Sequence, residues 1–181
     1  KGFADCWGIT VIHCPYCHGY EFRYKKTAIM ANAERGYHLA MLVNNLTDAI
    51  TIITSSRSEF TEEQLLKLKT HTIEIITKTV REIEHKEGFV KNVIFEDDEK
   101  INFDAVYAGI PFEQSSTLPF ALGCELNDMG HIKIDAFQKT TVEGIFACGD
   151  NSSPMRSVAN AVHTGNLAGA MVNAEITKES F

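Results

Sequence analysis

Two β-branched runs with a helical stripe between them constrain this chain more than any other feature. Residues 27–30 (Thr-Ala-Ile-Met) and 49–53 (Ala-Ile-Thr-Ile-Ile) are short, apolar and bounded by polar residues, as strands are. Residues 31–36 read as a turn of small and polar residues. Tyr37, Ala40, Met41, Leu42 and Leu46 then fall at helical spacing. Residues 26–54 therefore predict a β-α-β unit. Thr61-Glu62-Glu63-Gln64 reads as an N-cap with acidic residues in the first turn, opening a helix that runs through Lys69.

The texture then changes. Residues 72–77, 80–85, 89–95 and 100–103 alternate and are separated by polar turns such as Lys86-Glu87-Gly88, which predicts a small antiparallel meander. Residues 104–108 return as a buried strand. After a Ser- and Pro-containing loop at 113–119 the pattern predicts a different unit, with strands at 131–135 and 144–148. A long helix rich in Ala, Gly and Asn is expected over 154–176. The expected domains are thus 8–110 and 111–181.

Composition narrows the function classes. The chain has 181 residues, 44% hydrophobic and 23% charged, which suits a globular protein with a real core. Its net charge of −7 argues against nucleic acid or an anionic membrane as partner. No apolar run approaches the length of a membrane span. Residues 1–5 lack a Met and an apolar leader, and read as the interior of a longer chain. Five cysteines, Cys6, Cys14, Cys17, Cys124 and Cys148, do not form the even set of a secreted disulfide framework, so a reducing cytoplasm is expected.

Two of those cysteines stand in His13-Cys14-Pro15-Tyr16-Cys17-His18, the most informative run. Cysteines three apart can close a disulfide across one helical turn. A helix N-terminus and nearby imidazoles favour the thiolate that exchange chemistry requires. The same letters admit two other readings. His13, Cys14, Cys17 and His18 could hold zinc, and Cys14-x-x-Cys17-His18 has the spacing of a c-type haem attachment. The absence of a second Cys-x-x-Cys weakens the zinc reading, and the absence of a signal peptide weakens the haem reading.

A second run, Gly144-Ile145-Phe146-Ala147-Cys148-Gly149-Asp150, is a strand ending in a Gly-Asp turn ahead of the long helix. A glycine turn lets backbone approach a ligand, a carboxylate accepts from a sugar hydroxyl, and a helix N-terminus supplies donors. Alone, Gly-Asp is a common turn.

Together the runs carry a resemblance. Trp7-Gly8, the Cys14/Cys17 pair, a β-α-β unit, an antiparallel excursion, Gly130-x-Ile132-x-Ile134-Asp135 and the 144–150 run occur in the order found in thioredoxin reductases. Cys14-Pro-Tyr-Cys-x-Gly-x-Glu21 resembles the branch that includes bacterial thioredoxin-reductase-like proteins and fungal dithiol oxidases. The resemblance covers almost the whole chain. It implies a Rossmann-like α/β domain with an antiparallel excursion at 8–110, of the pyridine-nucleotide type and carrying the cysteine pair. Residues 111–181 would be the C-terminal portion of a second Rossmann-like domain, one that binds FAD. It further implies that Cys14 and Cys17 pass electrons between flavin and a substrate, with Cys17 facing the flavin and Cys14 attacking the substrate. Gly149 and Asp150 would then bind FAD through the ribityl chain. Arg156, Ser157 and Val158 would lie beside the flavin ring, and His163 is a candidate acid/base. The implied partner is a thioredoxin-like protein or a small dithiol or disulfide, and the implied assembly is a homodimer.

The sequence departs from that pattern in its nucleotide turns. None of its twelve glycines forms Gly-x-Gly. The FAD turn is expected in residues preceding Lys1, so FAD binding needs that preceding half. At the nucleotide turn, Ala31-Asn32-Ala33-Glu34-Arg35-Gly36 puts β-carbons and a carboxylate where pyrophosphate would sit. Arg57, the one basic residue of Thr54-Ser55-Ser56-Arg57, stands in for the cluster that holds the NADPH 2′-phosphate. Both departures argue against NADPH. Reduced ferredoxin as donor and oxygen as acceptor stay open. Two alternatives remain beside the flavin-dependent enzyme: a cofactor-less nucleotide-fold binding module, and a Cys/His metal-binding protein.

Overall fold

A computed structural model describes residues 1–181, which divide into two compact units, Lys1–Ile110 and Pro111–Phe181. The first opens with α1 (Phe3–Cys6), β1 (Val11–Ile12) and α2 (Pro15–His18), followed by a 3-10 turn over Gly19–Phe22. β2 (Thr27–Met30), α3 (Ala33–Val43), β3 (Ile50–Ile53), α4 (Glu62–Thr70) and β4 (Glu74–Ile76) come next. β5 (Val80–Lys86), β6 (Phe89–Phe95), β7 (Lys100–Asn102) and β8 (Ala105–Ala108) complete the unit.

Five of these strands form a parallel sheet in the order β1-β8-β2-β3-β4, and β5-β6-β7 form an antiparallel sheet. β3 and β8 are buried at every residue, as parallel strands covered on both faces must be. Alternation along each strand assigns its residues to two cores. Ile12, Ile29, Ile52 and Tyr107 point toward Leu39 and Val43 of α3 and Leu68 of α4. Val11, Ala28, Ile53 and Val106 point the other way, toward Ile83, Val93 and Phe95 of the antiparallel sheet. The unit is therefore helices on one face of a parallel sheet and a meander on the other.

The local signals explain most element ends. Thr61 and Gln64 close a reciprocal capping box at the start of α4. Asn32 caps α3, so that helix begins at Ala33, inside the stretch expected to be a turn. Residues 72–77 were expected in the meander, but β4 instead joins the parallel sheet with Ile75 beside Ile52. The reason is topological: β3, α4 and β4 make a second strand-helix-strand crossover, which returns the chain parallel.

The second unit contains α5 (Leu118–Ala121), a 3-10 turn over Gly149–Asn151 and α6 (Val158–Ser180). The strands expected at 131–135 and 144–148 are reduced to single bridges, Leu126 with Ile132 and Lys139 with Phe146. Asp135 curtails the first, because its carboxylate accepts from the amides of Phe137 and Lys139 and bends the chain. Ile145 donates its amide back to Val142, which shortens the second. α6 starts at Val158 rather than Pro154 because Ser157 is its cap, accepting from the Asn160 amide. A small core of Cys124, Ile132 and Ala147 lies between these segments. No helix is long and apolar enough to cross a membrane.

Candidate redox, nucleotide and flavin-side residues

Cys14 ends the extended segment after β1 and is the N-cap of α2, with Pro15 at the first helical position. That proline has no amide to satisfy and presets the helical φ, so the turn begins where the cysteine stands. One helical turn later, Cys17 returns its sulfur to Cys14. The Cys17 Sγ donates to the Cys14 Sγ at 2.8 Å, and both cysteines are free thiols. Cys17 is exposed and Cys14 half-buried. The hydrogen bond to Cys14, followed by burial, raises the Cys17 thiol above its ordinary pKa. Cys17 thus holds its proton and donates the hydrogen bond that Cys14 accepts, which distinguishes the two sulfurs.

The flanking imidazoles do not close on the pair as a ligand set. His13 stacks on Trp7 at 5.9 Å between centroids, and Trp7 stacks on Phe3 at 5.7 Å. His18 is exposed at the end of α2. No group of three or more His, Cys, Asp or Glu side chains is arranged to hold a metal ion. His13, Cys14, Cys17 and His18 therefore do not converge as the zinc reading requires. Of the other cysteines, Cys6 and Cys124 are buried, while Cys148 is half-buried in the strand-like segment before Gly149.

The floor of this turn holds a residue that the motif does not reveal. Tyr107 of β8 sits beside Ile12 in the strand register and is fully buried. Its hydroxyl has no hydrogen-bond partner. Burial first, then the charges of Cys14 and Glu21, push its pKa up to about 12. Gly19 is bare above it. A Cβ there would come within 3.2 Å of the hydroxyl oxygen and 2.5 Å of the Leu46 Cδ1.

The second turn, after β2, is filled by its own side chains. Asn32 accepts from the amides of Ala33 (2.9 Å) and Glu59 (3.1 Å), and donates to the carbonyl of Arg57 (3.0 Å) and the Ser56 hydroxyl (3.3 Å). Glu34 accepts from the Gln64 amide at 2.7 Å. Arg35 donates to the Gly109 carbonyl at 3.0 Å, with its stem and the Ala31 methyl packed where a Gly109 Cβ would be. Ala33 sits at φ +48, backbone that an L-residue adopts at a cost. Gly36 is there for packing: a Cβ would lie 3.1 Å from both the Ala31 carbonyl oxygen and the Phe60 ring. Arg57 is exposed and is held to the turn through its backbone. The first amide of α3 is satisfied internally and a carboxylate stands in the helix's first turn. These residues do not fit a dinucleotide pyrophosphate.

In the second unit, Gly149 is buried at φ +77 and donates its amide to the Thr164 hydroxyl at 3.0 Å, which fixes the turn against α6. The adjacent Asp150 is exposed, and its carboxylate has no protein partner. Ser157 spends its hydroxyl on capping α6, and Val158 is 81% exposed at the first position of that helix. Arg156 lies over the Phe112 ring at 4.7 Å, and Phe112 stacks on His131 at 4.5 Å. His131 is buried with neither ring nitrogen bonded, and burial, then Arg156, lowers its pKa. His163 is exposed on α6. A left-handed glycine turn and a carboxylate free of protein partners fit the hydroxyl-rich chain of a flavin dinucleotide.

Comparison with known proteins bears on the family and the fold. The sequence model of the pyridine nucleotide-disulphide oxidoreductases matches residues 27–165. The chain is 30% identical over 188 residues to the thioredoxin reductase sirT of Leptosphaeria maculans, covering 96% of this chain and 57% of that protein. It is 27% identical over 183 residues to the thioredoxin reductase tcpT of Claviceps purpurea, covering 97% and 57% respectively. The chain thus spans little more than half the length of these relatives. An oxidoreductase structure from Agrobacterium tumefaciens superposes with a TM-score of 0.85 at 32% identity, over 98% of this chain and 59% of that one.

Proposed function

Since the chain belongs to the pyridine nucleotide-disulphide oxidoreductase family, we propose that Cys14 and Cys17 are the redox pair of a thioredoxin-reductase-like, FAD-dependent thiol-disulfide oxidoreductase. The observation that carries this reading is the 2.8 Å approach of the two sulfurs, with Cys17 donating, on an accessible helical turn. Residues 8–110 act as the pyridine-nucleotide-type domain that displays the pair. Residues 111–181 supply part of a FAD domain, with Gly149 and Asp150 toward the ribityl chain. Arg156, Ser157 and Val158 border the flavin ring, and His163 is the candidate acid/base.

The chemistry follows from the asymmetry of the pair. The Cys14 thiolate attacks one sulfur of a substrate disulfide, and the other substrate sulfur leaves as a thiolate. Cys17 then loses its proton and attacks the Cys14 sulfur. This releases the second substrate thiolate and closes the Cys14–Cys17 disulfide, so two electrons have passed to the substrate. Run in reverse, the same steps oxidise a substrate dithiol. Bound FAD would exchange those two electrons with the pair. No step is assigned to NADPH, because the turn at 31–36 is filled by Asn32, Arg35 and the Ala31 methyl. The substrate is a thioredoxin-like protein or a small dithiol or disulfide, the setting is a reducing cytoplasm, and the assembly is a homodimer.

A glutathione redox buffer tests the pair directly. Oxidised protein should carry a Cys14–Cys17 disulfide on peptide mapping, and Cys17→Ser should accumulate a glutathione adduct on Cys14. In the FAD-loaded protein, Cys14→Ser should lower dithiol-disulfide turnover by at least about a thousandfold. Adducts spread over Cys6, Cys124 and Cys148 instead, or turnover unchanged by Cys14→Ser, would overturn the reading.

A further inference from the structure

Beneath the redox turn lies a polar group that the exchange chemistry above does not use. The β1–β8 register sets Tyr107 beside Ile12, two residues before Cys14, on the sheet face that looks toward the helices. The ring is fully buried, yet its hydroxyl bonds to nothing. A hydroxyl taken out of water without a partner destabilises the fold, and a phenylalanine would fill the same core without that cost. Gly19 brings only backbone against it: a Cβ there would lie 3.2 Å from the oxygen, 3.7 Å from the Pro15 side chain, next in sequence to Cys14, and 2.5 Å from the Leu46 Cδ1. Burial, Cys14 and Glu21 all hold the phenol in its protonated form. It therefore keeps an O–H to donate at ordinary pH.

The dithiol state also shows what is lacking. With both thiols present, the bond donated to Cys14 comes from Cys17. That donor is lost whenever Cys17 gives up its proton to attack, and when the substrate's second sulfur draws Cys17 away. A second, fixed donor below the turn would stabilise the Cys14 thiolate as it attacks a substrate disulfide and, when a dithiol is oxidised, as it leaves the mixed disulfide. Resting on the redox-pair reading, we propose that the buried Tyr107 hydroxyl is the hydrogen-bond donor to the Cys14 thiolate, with Gly19 kept bare to let the two meet. Tyr107 positions and stabilises the attacking sulfur, and exchanges no electrons itself.

Alkylation tests this without any cofactor. The rate at which iodoacetamide labels Cys14 is followed by mass spectrometry against pH, in a Cys17→Ser background, with and without Tyr107→Phe. The expected result is about tenfold slower labelling near neutral pH in the Phe variant, recovered as pH is raised, because one charge-assisted hydrogen bond shifts a thiolate population by that order. Superimposable profiles would overturn the proposal, and the hydroxyl would then be an uncompensated core group or a partner of Glu21. A loss equal at every pH would also overturn it, since that reports access to the sulfur rather than its charge. Should Tyr107→Phe not fold, Gly19→Ala gives the same readout, because its methyl, once the flexible end of Leu46 has moved aside, would stand 3.2 Å from the hydroxyl on its Pro15 side. Unchanged labelling in that variant counts against the proposal equally. The redox-pair reading fails on a different measurement, the Cys14→Ser turnover, so the two failures are separable.

Discussion

Two turns leave the same parallel sheet from strands on either side of β8, the Cys14–Cys17 turn after β1 and the 31–36 turn after β2. The C-terminal ends of parallel strands are where open α/β sheets place their ligands. At the first turn the reactive sulfurs bond only to each other, and the hydroxyl beneath them is unsatisfied. At the second, Asn32 alone makes four hydrogen bonds, Glu34 is held by Gln64, and Arg35 closes over Gly109. One turn keeps its polar groups available for a partner, and the other has spent them on itself. The same strand-end geometry can therefore serve chemistry or serve stability. What decides is whether the side chains beside it are left with bonding capacity.

The largest expected difference between the turns, after the loss of turnover in Cys14→Ser, is in alkaline stability. Tyr107 has a folded-state pKa of about 12, mainly because burial disfavours its anion, against about 10 for an unfolded tyrosine. The folded chain therefore binds the proton more tightly. The stabilisation is complete below about pH 10 and is lost progressively as pH rises toward 12, where the unfolded chain ionises first. A shift of that size corresponds to about 2–3 kcal/mol. Urea unfolding should show Tyr107→Phe gaining on its parent by that order between about pH 9 and 12, both in a Cys14→Ser background. A constant difference across that range would mean the phenol is not confined as described.

The closed turn should respond to neutral-pH mutation instead. Asn32→Ala removes the cap of α3 and the ties to Arg57, Ser56 and Glu59. A loss of about 1–2 kcal/mol in urea unfolding is expected, the usual cost of a helix cap. A change below about 0.5 kcal/mol would show that the turn is not held shut by this side chain.

How far the two turns could be read from sequence differs in an instructive way. The redox pair announces itself, because cysteine is rare and spacing three places both sulfurs on one helical turn. The β-α-β unit was equally legible, since Thr27–Met30 and Ile50–Ile53 are β-branched and flank an apolar helical stripe. That β4 belongs to the parallel sheet and not the meander was not legible, because the three residues Glu74, Ile75 and Ile76 carry no pattern that reports whether a strand returns parallel or antiparallel. Tyr107 carried no signal as a site residue. Its relation to Cys14 exists only through the β1–β8 register, across almost the whole of the first unit. The alanines and Glu34 could be read as hostile to pyrophosphate. That Arg35 and Asn32 fill the turn depends on Gly109 and on the 56–59 loop, which lie far away in sequence.

Ala33 offers the smallest and most specific test of the contrast. It is the first residue of α3 and sits at φ +48, where the β-carbon crowds the backbone. A glycine tolerates that conformation freely, but it also gains freedom in the unfolded chain and is a poorer helix former. Relief of about 1–2 kcal/mol set against about 1 kcal/mol of those costs leaves Ala33→Gly slightly more stable, by up to about 1 kcal/mol. Chemical denaturation of the variant beside its parent reads this directly. If Ala33→Gly lowers stability, the left-handed backbone at this position is not strained, and the closure of the turn rests on Asn32 and Arg35 alone. A gain would mean that alanine is retained here at a stability cost. The methyl would then be doing what the sequence pattern suggested, keeping pyrophosphate away from the start of α3 while the neighbouring turn stays open to sulfur.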